Sequence, residues 1–194
     1  MTASDDGVND AGGNDASALG GRPGRNPFNT SASCTLTVRG GYIFIDANGD
    51  GLDINGPITM SGGAIIVNGS TENMNGAIDC SGSFELTSGV LIAVGGAGMA
   101  QGPTNSLSQS SAALRLGSMV PAGALVHIES TDGEDFLTFL PTKAYQSIVL
   151  STAELLSGTT YDVYIGGQAT GTSDDGLYTS GDYTPGTLLG SFTL

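Results

Sequence analysis

Two stretches of the sequence decide the fold: residues 51–67 read GLDINGPITMSGGAIIV, and residues 77–93 read AIDCSGSFELTSGVLIA. They align without a gap at a constant offset of 26 residues. A third copy, LTVRGGYIFI at residues 36–45, aligns with the first of them at an offset of 22. Each copy predicts a strand, a glycine corner and a second strand, with a short third strand after a variable turn. Repeats that contain strands and no helix must stack on one another to bury their apolar side.

We therefore expect an all-β protein, a right-handed parallel β-helix of a few coils followed by a small antiparallel β module. The coils would occupy residues 1–103 and include a Gly-rich loop at 10–33. A linker and strand follow at 104–119, and the antiparallel module at 120–194. Period-2 alternation places the following side chains in the interior of the coils: Leu36, Val38, Ile43, Ile45, Ile58, Met60, Ile65, Val67, Phe84, Leu86, Leu91 and Ala93.

Three large apolar side chains, Phe44, Ile66 and Ile92, fall on outward positions of successive coils. A stacked apolar column of this kind exceeds the scattered apolar residues that an ordinary surface carries. We therefore predict that the C-terminal module packs on this column. The spacing of Leu155–Tyr161 is typical of a tyrosine corner, which supports a sandwich-like arrangement of the module's strands.

The composition excludes several classes of partner. The chain has 194 residues, a formal net charge of −14 and only 5 Lys and Arg. Because five cationic side chains cannot neutralise a run of phosphates, we expect no binding to nucleic acid or to an anionic membrane. The longest apolar runs, such as Ala64–Val67, are too short to span a bilayer. Residues 1–6 do not form a signal peptide, and their abrupt start leads us to expect a part of a longer protein.

The two cysteines are predicted to remain free. The repeat offsets place Cys80 over Ile54 and Cys34 under Gly56, so the two cysteines lie two coils apart and out of register. Two coils span about 10 Å, and two residues along a strand add about 6.6 Å. A disulfide tolerates Cα separations up to about 7 Å.

The segment Asp46–Gly51, with the sequence DANGDG, matches the first half of a calcium-binding loop. Oxygen side chains at alternate positions of such a loop converge on the ion, and glycine permits the sharp turn. Pro57 stands where an EF-hand has its acidic twelfth residue, so carboxylates from the next strand and the neighbouring coil would complete the shell. The alternative is a turn rich in Asp, Asn and Gly for conformational reasons alone. The predicted ligands are Asp46, Asn48, Asp50, Asp53 and Asp79.

Other residues with reactive side chains are isolated in the sequence. His127 alternates with apolar neighbours and is predicted to be an exposed strand residue. A polysaccharide lyase needs a cation and a base that removes a proton, and no basic residue accompanies the acidic turn. A glycosidase needs two converging carboxylates, for which stacked Asp53 and Asp79 would be about 5 Å apart. A shared cation explains that pair as well.

Several motifs follow one another along the chain: ASDDGVN at 3–9, GDGLDING at 49–56, GMAQGP at 98–103, LVHI at 125–128, YQS at 145–147 and GLY at 176–178. In these motifs and their order the chain resembles the secreted bacterial β-helix carbohydrate-binding family, whose solenoid is similar to that of pectate lyases. The resemblance implies an extracellular or cell-surface protein with calcium in its coils and no established catalysis. Members of the family carry many more coils upstream, so the resemblance implies that the chain corresponds to their C-terminal part.

We therefore expect a non-catalytic protein that binds a plant-type or acidic polysaccharide, cellulose-like or polyuronate, with the help of calcium. The net charge of −14 would repel a polyuronate unless cations bridge the protein and the sugar carboxylates. One alternative is a structural or assembly module whose open solenoid ends associate with other chains. A second alternative is the remnant of a polysaccharide lyase.

Overall fold

The computed structural model describes residues 1–10, 34–104 and 108–194, and these residues form strands and no helix. The strands of the repeats are β1 (Thr2–Ala3), β2 (Val8–Asp10), β3 (Leu36–Ala47), β4 (Leu52–Ile54), β5 (Ile58–Asn68), β6 (Ile78–Cys80) and β7 (Phe84–Gly95). The C-terminal strands are β8 (Ala112–Val120), β9 (Val126–Ser130), β10 (Asp135–Phe139), β11 (Tyr145–Ser151), β12 (Thr160–Ile165), β13 (Gln168–Ala169), β14 (Ser173–Asp174), β15 (Leu177–Tyr178), β16 (Tyr183–Thr184) and β17 (Thr187–Thr193). The described part of the chain has no helix long and apolar enough to cross a membrane. Residues 11–33 of the predicted loop lie outside the described residues.

Successive repeats pair in parallel at the register that the sequence offsets predict. In the sheet of long strands, Ile58 lies opposite Leu36 on one side and opposite Phe84 on the other. In the narrow sheet β2-β4-β6, Leu52 lies between Val8 and Ile78. The prediction of an all-β protein with stacked repeats is therefore confirmed, and the molecule combines parallel and antiparallel sheets.

Each long strand turns a corner at a glycine. Gly41, Gly63 and Gly89 have φ angles of 88°, 85° and 118°, which other residues rarely adopt. In a straight strand Val38 and Ile45 would point to opposite faces, because they are an odd number of residues apart. Both lie in the same core, because the corner lies between them. All the side chains predicted to be interior belong to this core or pack against it.

Two strands of the C-terminal part extend the long parallel sheet. β11 pairs antiparallel with β7, with Ile148 opposite Val94, and β8 pairs antiparallel with β11. The complete order of this sheet is β1-β3-β5-β7-β11-β8. The antiparallel module predicted at 120–194 includes β11, whereas the structure pairs this strand with the last repeat. Alternation of polarity identifies a strand but not its neighbour.

A second sheet, of order β14-β15-β10-β9-β12-β17, is antiparallel throughout. Its inner face contributes Val126 and Val163 to a second core that also contains Ile66 and Ile92. Both isoleucines are fully buried, and Phe44 packs against the same core. The predicted apolar column is thus covered by strands of the C-terminal part.

The tyrosine corner has the expected contacts. The hydroxyl of Tyr161 accepts a hydrogen bond from the backbone N–H of Leu156 at 2.9 Å. It also contacts the carbonyl oxygen of Glu154 at 3.4 Å. These bonds connect the start of β12 to the preceding turn, as the spacing of residues 155–161 predicted.

Both cysteines are free and buried, as predicted. Cys80 lies opposite Ile54 in the narrow sheet, which is the position that the repeat offset gives. Each thiol has its own oxygen neighbour: Cys34 Sγ is 3.0 Å from Asp10 Oδ1, and Cys80 Sγ is 3.5 Å from Gln101 Oε1. The two side chains therefore point to separate partners rather than to each other.

Candidate functional site

The five predicted metal ligands are divided between two groups of contacts. Asp46 and Asn48 contact the C-terminal part of the chain. Asp50 contacts the neighbouring repeats, and Asp53 and Asp79 lie opposite each other in the narrow sheet. Within residues 1–10, 34–104 and 108–194, one group of three His, Cys, Asp or Glu side chains has its ligand atoms within 4.8 Å of one another. None of the five predicted ligands belongs to this group. Calcium binding at this turn stays a prediction.

A lysine ammonium lies against the first two predicted ligands. Lys143 Nζ is 2.9 Å from Asp46 Oδ1 and donates a hydrogen bond to Asn48 Oδ1 at 3.0 Å. It also donates to the backbone carbonyl of Ala47. Burial raises the pKa of Asp46, but hydrogen bonds from Thr142 and Lys143 outweigh this effect, so the pKa is lowered overall. The cation that these oxygens bind in the structure is therefore the side chain of Lys143.

We predict that Lys143→Met lowers the free energy of unfolding by about 1–3 kcal/mol, because it leaves a mostly buried carboxylate without its cation. The side chains of Lys143 and Asp46 are each 19% exposed, so solvent screens this ion pair only in part. A double-mutant cycle with Asp46→Asn, measured by urea denaturation, should give a coupling energy of about 1 kcal/mol or more. A coupling energy within experimental error of zero would show that solvent screens the pair completely.

Aspartates of the turns link one repeat to the next through backbone amides. Asp6 Oδ1 accepts a hydrogen bond from the N–H of Asp50 at 2.8 Å, and Asp50 Oδ1 accepts one from the N–H of Gly76. Gly49 is required here, because a Cβ at this position would overlap the carboxylates of Asp5 and Asp6. Burial raises the pKa of Asp50 to about 6 and the charges of Asp79, Asp6 and Asp5 add to this effect, although the bond from Gly76 opposes it.

A ladder of polar side chains crosses the narrow sheet next to this turn. Asn9, Asp53 and Asp79 occupy directly opposite positions on β2, β4 and β6. Gln101 continues the row, since its Nε2 donates to Asp79 Oδ1 at 3.1 Å. The two carboxylates stand on neighbouring parallel strands, which are about 4.8 Å apart. We call Asn9, Asp53, Asp79 and Gln101 the acidic ladder.

The prediction of an exposed His127 is wrong, because its side chain is fully buried. The imidazole stacks on Tyr183, with ring centroids 3.8 Å apart and an angle of 14° between the planes. Thr138 on β10 and Tyr164 on β12 flank it in the sheet. Alternation predicted the correct face of β9, but nothing in the local sequence shows that Tyr183 of β16 covers that face.

Comparisons with known proteins find no match: no family model, no curated protein and no solved structure is similar to this chain. The class of the protein therefore follows from its fold and from the arrangement of its side chains. It is an all-β protein of stacked parallel repeats with an antiparallel C-terminal sheet, and it carries an acidic ladder on the repeats. The resemblance to the β-helix carbohydrate-binding family stays a prediction.

Proposed function

We propose that the repeats are coils of a right-handed parallel β-helix, and that the protein binds an acidic polysaccharide through calcium without catalysing a reaction. The in-register parallel pairing, the glycine corners and the shared core of the repeats support the β-helix. The resemblance to the secreted carbohydrate-binding family supports the ligand class. The same resemblance is the basis for proposing an extracellular or cell-surface location.

The observation that carries the proposed function is the pair of stacked carboxylates in the acidic ladder. Asp53 and Asp79 lie opposite each other on neighbouring strands, and both are partly exposed. Groups repeated at the strand spacing of about 4.8 Å suit a polymer that carries a charge on every unit. The carboxylate oxygens of Asp53 and Asp79 favour a hard cation such as calcium over zinc or copper.

Electrostatics requires the cation in this proposal. The chain has a net charge of −14, and Asp50 already has a raised pKa because burial and neighbouring carboxylates disfavour its ionised form. A polyuronate would add further negative charge, so a divalent ion between protein and sugar must offset the repulsion. Asp50, Asp53 and Asp79 are the ligands that fit this role. Asp46 and Asn48 fit less well, because Lys143 already binds their oxygens.

An acidic polymer is favoured over a neutral cellulose-like one by the side chains available. The sequence contains no Trp, which supplies the largest flat apolar surface among side chains. The polar groups of the acidic ladder instead match charged sugar units bridged by calcium. A cellulose-like polymer remains the second ligand to be tested.

We predict that the protein is retarded in affinity electrophoresis through polygalacturonate when calcium is present, and migrates freely after chelation. The double variant Asp53→Asn/Asp79→Asn should bind at least tenfold more weakly, because it removes the bridging carboxylates. The matched control is Asp132→Asn/Glu134→Gln, which changes the net charge equally in the exposed turn between β9 and β10. Unchanged or tighter binding by the Asp53/Asp79 variant would contradict the calcium bridge, since repulsion alone would then control affinity.

The assembly alternative has its own structural observation. β1 pairs with β3 at Asp46 and Ala47, so within the described residues the rest of that edge of β3 has no paired strand. An open edge of this kind can accept a strand from another chain. Light scattering that shows concentration-dependent oligomers, together with no retardation by polygalacturonate or cellulose, would favour assembly. Release of unsaturated sugar products would favour the lyase remnant.

A further inference from the structure

A second polar cluster lies on the outer face of the antiparallel sheet, separate from the acidic ladder. His127 and Glu129 alternate on β9, and Asp135 lies opposite Glu129 at the start of β10. Of the His, Cys, Asp and Glu side chains that the structure describes, these three alone form a group whose ligand atoms all lie within 4.8 Å of one another. The spacing of these residues in the sequence does not indicate the cluster, because the pairing of β9 with β10 brings Glu129 and Asp135 together.

The distances in this cluster are those expected between ligands of one metal ion. His127 Nε2 is 3.4 Å from Glu129 Oε2 and 3.5 Å from Asp135 Oδ1. A strong hydrogen bond between an imidazole and a carboxylate would be about 2.7–2.9 Å long. Two ligand atoms that are each about 2.1 Å from one ion, in a tetrahedral arrangement, are about 3.4 Å apart.

The surroundings hold the imidazole in one orientation. His127 Nδ1 is 2.8 Å from Thr138 Oγ1, so the other ring nitrogen is directed at the two carboxylates. The ring of Tyr183 stacks on the imidazole at 3.8 Å and covers it. A hydrogen-bonded second nitrogen of this kind commonly orients the histidine ligand of a metal site.

We propose that His127, Glu129 and Asp135 form a binding site for a divalent transition-metal ion, with zinc as the ion of choice. The imidazole nitrogen favours zinc over calcium and magnesium, which prefer oxygen ligands alone. Two carboxylates supply the negative charge that balances the ion. Three protein ligands leave at least one coordination position for water or for an external ligand.

The electrostatics of the imidazole are consistent with a metal ligand. Burial lowers the pKa of His127, although the hydrogen bond to Glu129 and the charges of Asp135 and Glu129 oppose this effect. A metal requires the lone pair of a neutral ring nitrogen, and Nε2 can supply it to an ion between the carboxylates while Nδ1 bonds to Thr138. The Asp135 side chain is 65% exposed, which gives an ion access to the buried histidine.

The test is a zinc titration of the chelator-treated, full-length protein by isothermal calorimetry. We expect one zinc ion per chain and a higher melting temperature with zinc, because the ion connects β9 to β10. Asp135→Asn and Glu129→Gln should each weaken zinc binding at least tenfold. The control Asp132→Asn, which removes an exposed carboxylate of the same turn, should bind like the parent. X-ray absorption at the zinc edge should show one imidazole ligand.

The variants of the two carboxylates keep the test interpretable, because His127 is buried and its replacement risks unfolding. Absence of stoichiometric zinc binding by the folded parent would overturn the site, and so would equal affinity in Asp135→Asn. In either case the imidazole would donate an Nε2–H to the carboxylates, which nitrogen NMR of the histidine detects directly. Binding of polygalacturonate should be the same in Asp135→Asn and in the parent, so this result is independent of the proposed function.

Discussion

Replacing Ile66 by Asp should lower the free energy of unfolding by more than about 4 kcal/mol, which is enough to unfold many domains of this size. Ile66 is fully buried between Phe44 and Ile92 of the neighbouring strands. It also belongs to the core that joins the repeats to the antiparallel sheet. The substitution places an unpaired carboxylate in apolar surroundings and removes branched apolar volume. Urea denaturation followed by circular dichroism measures the effect.

The matched control for this prediction is Ser61→Asp, which introduces the same side chain at an exposed position of the same strand. Surface substitutions of this kind change stability by about 0.5 kcal/mol. If Ile66→Asp fails to fold, Ile66→Val provides a measurable loss of about 0.5–1.5 kcal/mol. Equal urea midpoints for the parent, Ile66→Asp and Ser61→Asp would show that this face of the repeats is open to solvent.

The stacked repeats could be predicted from the sequence because parallel in-register pairing converts a sequence offset into a position in space. An offset of 26 residues between copies places Leu52 opposite Ile78, and the structure has this pair. The corners could be predicted for a similar reason, since glycine marks the positions where φ is positive. Predicting the burial of the outward column required one further inference, namely that three stacked apolar side chains must be covered.

The contacts of the candidate site could not be predicted in the same way. Lys143 is 97 residues from Asp46 in the sequence, and no repeat or spacing connects the two. Their contact depends on where the turn before β11 lies against the repeats, which follows from packing of whole sheets. The acidic turn therefore suggested a calcium loop, although a lysine already binds two of its oxygens.

His127 shows the same limit for a single side chain. The alternation of Val126 and Ile128 correctly indicates that these two face the core. It assigns His127 to the opposite face, and a sheet face opposite a core is ordinarily exposed. The ring of Tyr183 covers this face. Tyr183 lies on β16, which six strands separate from β9 in the sequence and which pairs with β13 in a separate two-stranded sheet. Burial on such a face depends on long-range packing rather than on periodicity.

The final prediction concerns Asp50. Burial and the charges of neighbouring carboxylates raise its pKa to about 6, from a reference value of 3.8. Between these two values the folded protein binds more protons than the unfolded chain, so this group makes stability fall as the pH rises from about 4 to about 6. In chelator, the parent should therefore lose stability relative to Asp50→Asn across this window. The variant keeps an oxygen that can accept the N–H of Gly76.

Calcium should reverse the order of the two proteins at pH 7. An ion bound to ionised Asp50 relieves the repulsion, and at a hundredfold excess over Kd it adds about 2.7 kcal/mol to the stability of the parent. Asp50→Asn lacks the charged ligand and should gain little. Melting temperatures at pH 5 and pH 7, with calcium and with chelator, test both effects in one set of samples. If the parent and Asp50→Asn respond equally to calcium, Asp50 is not a ligand, and its carboxylate serves only to link one repeat to the next.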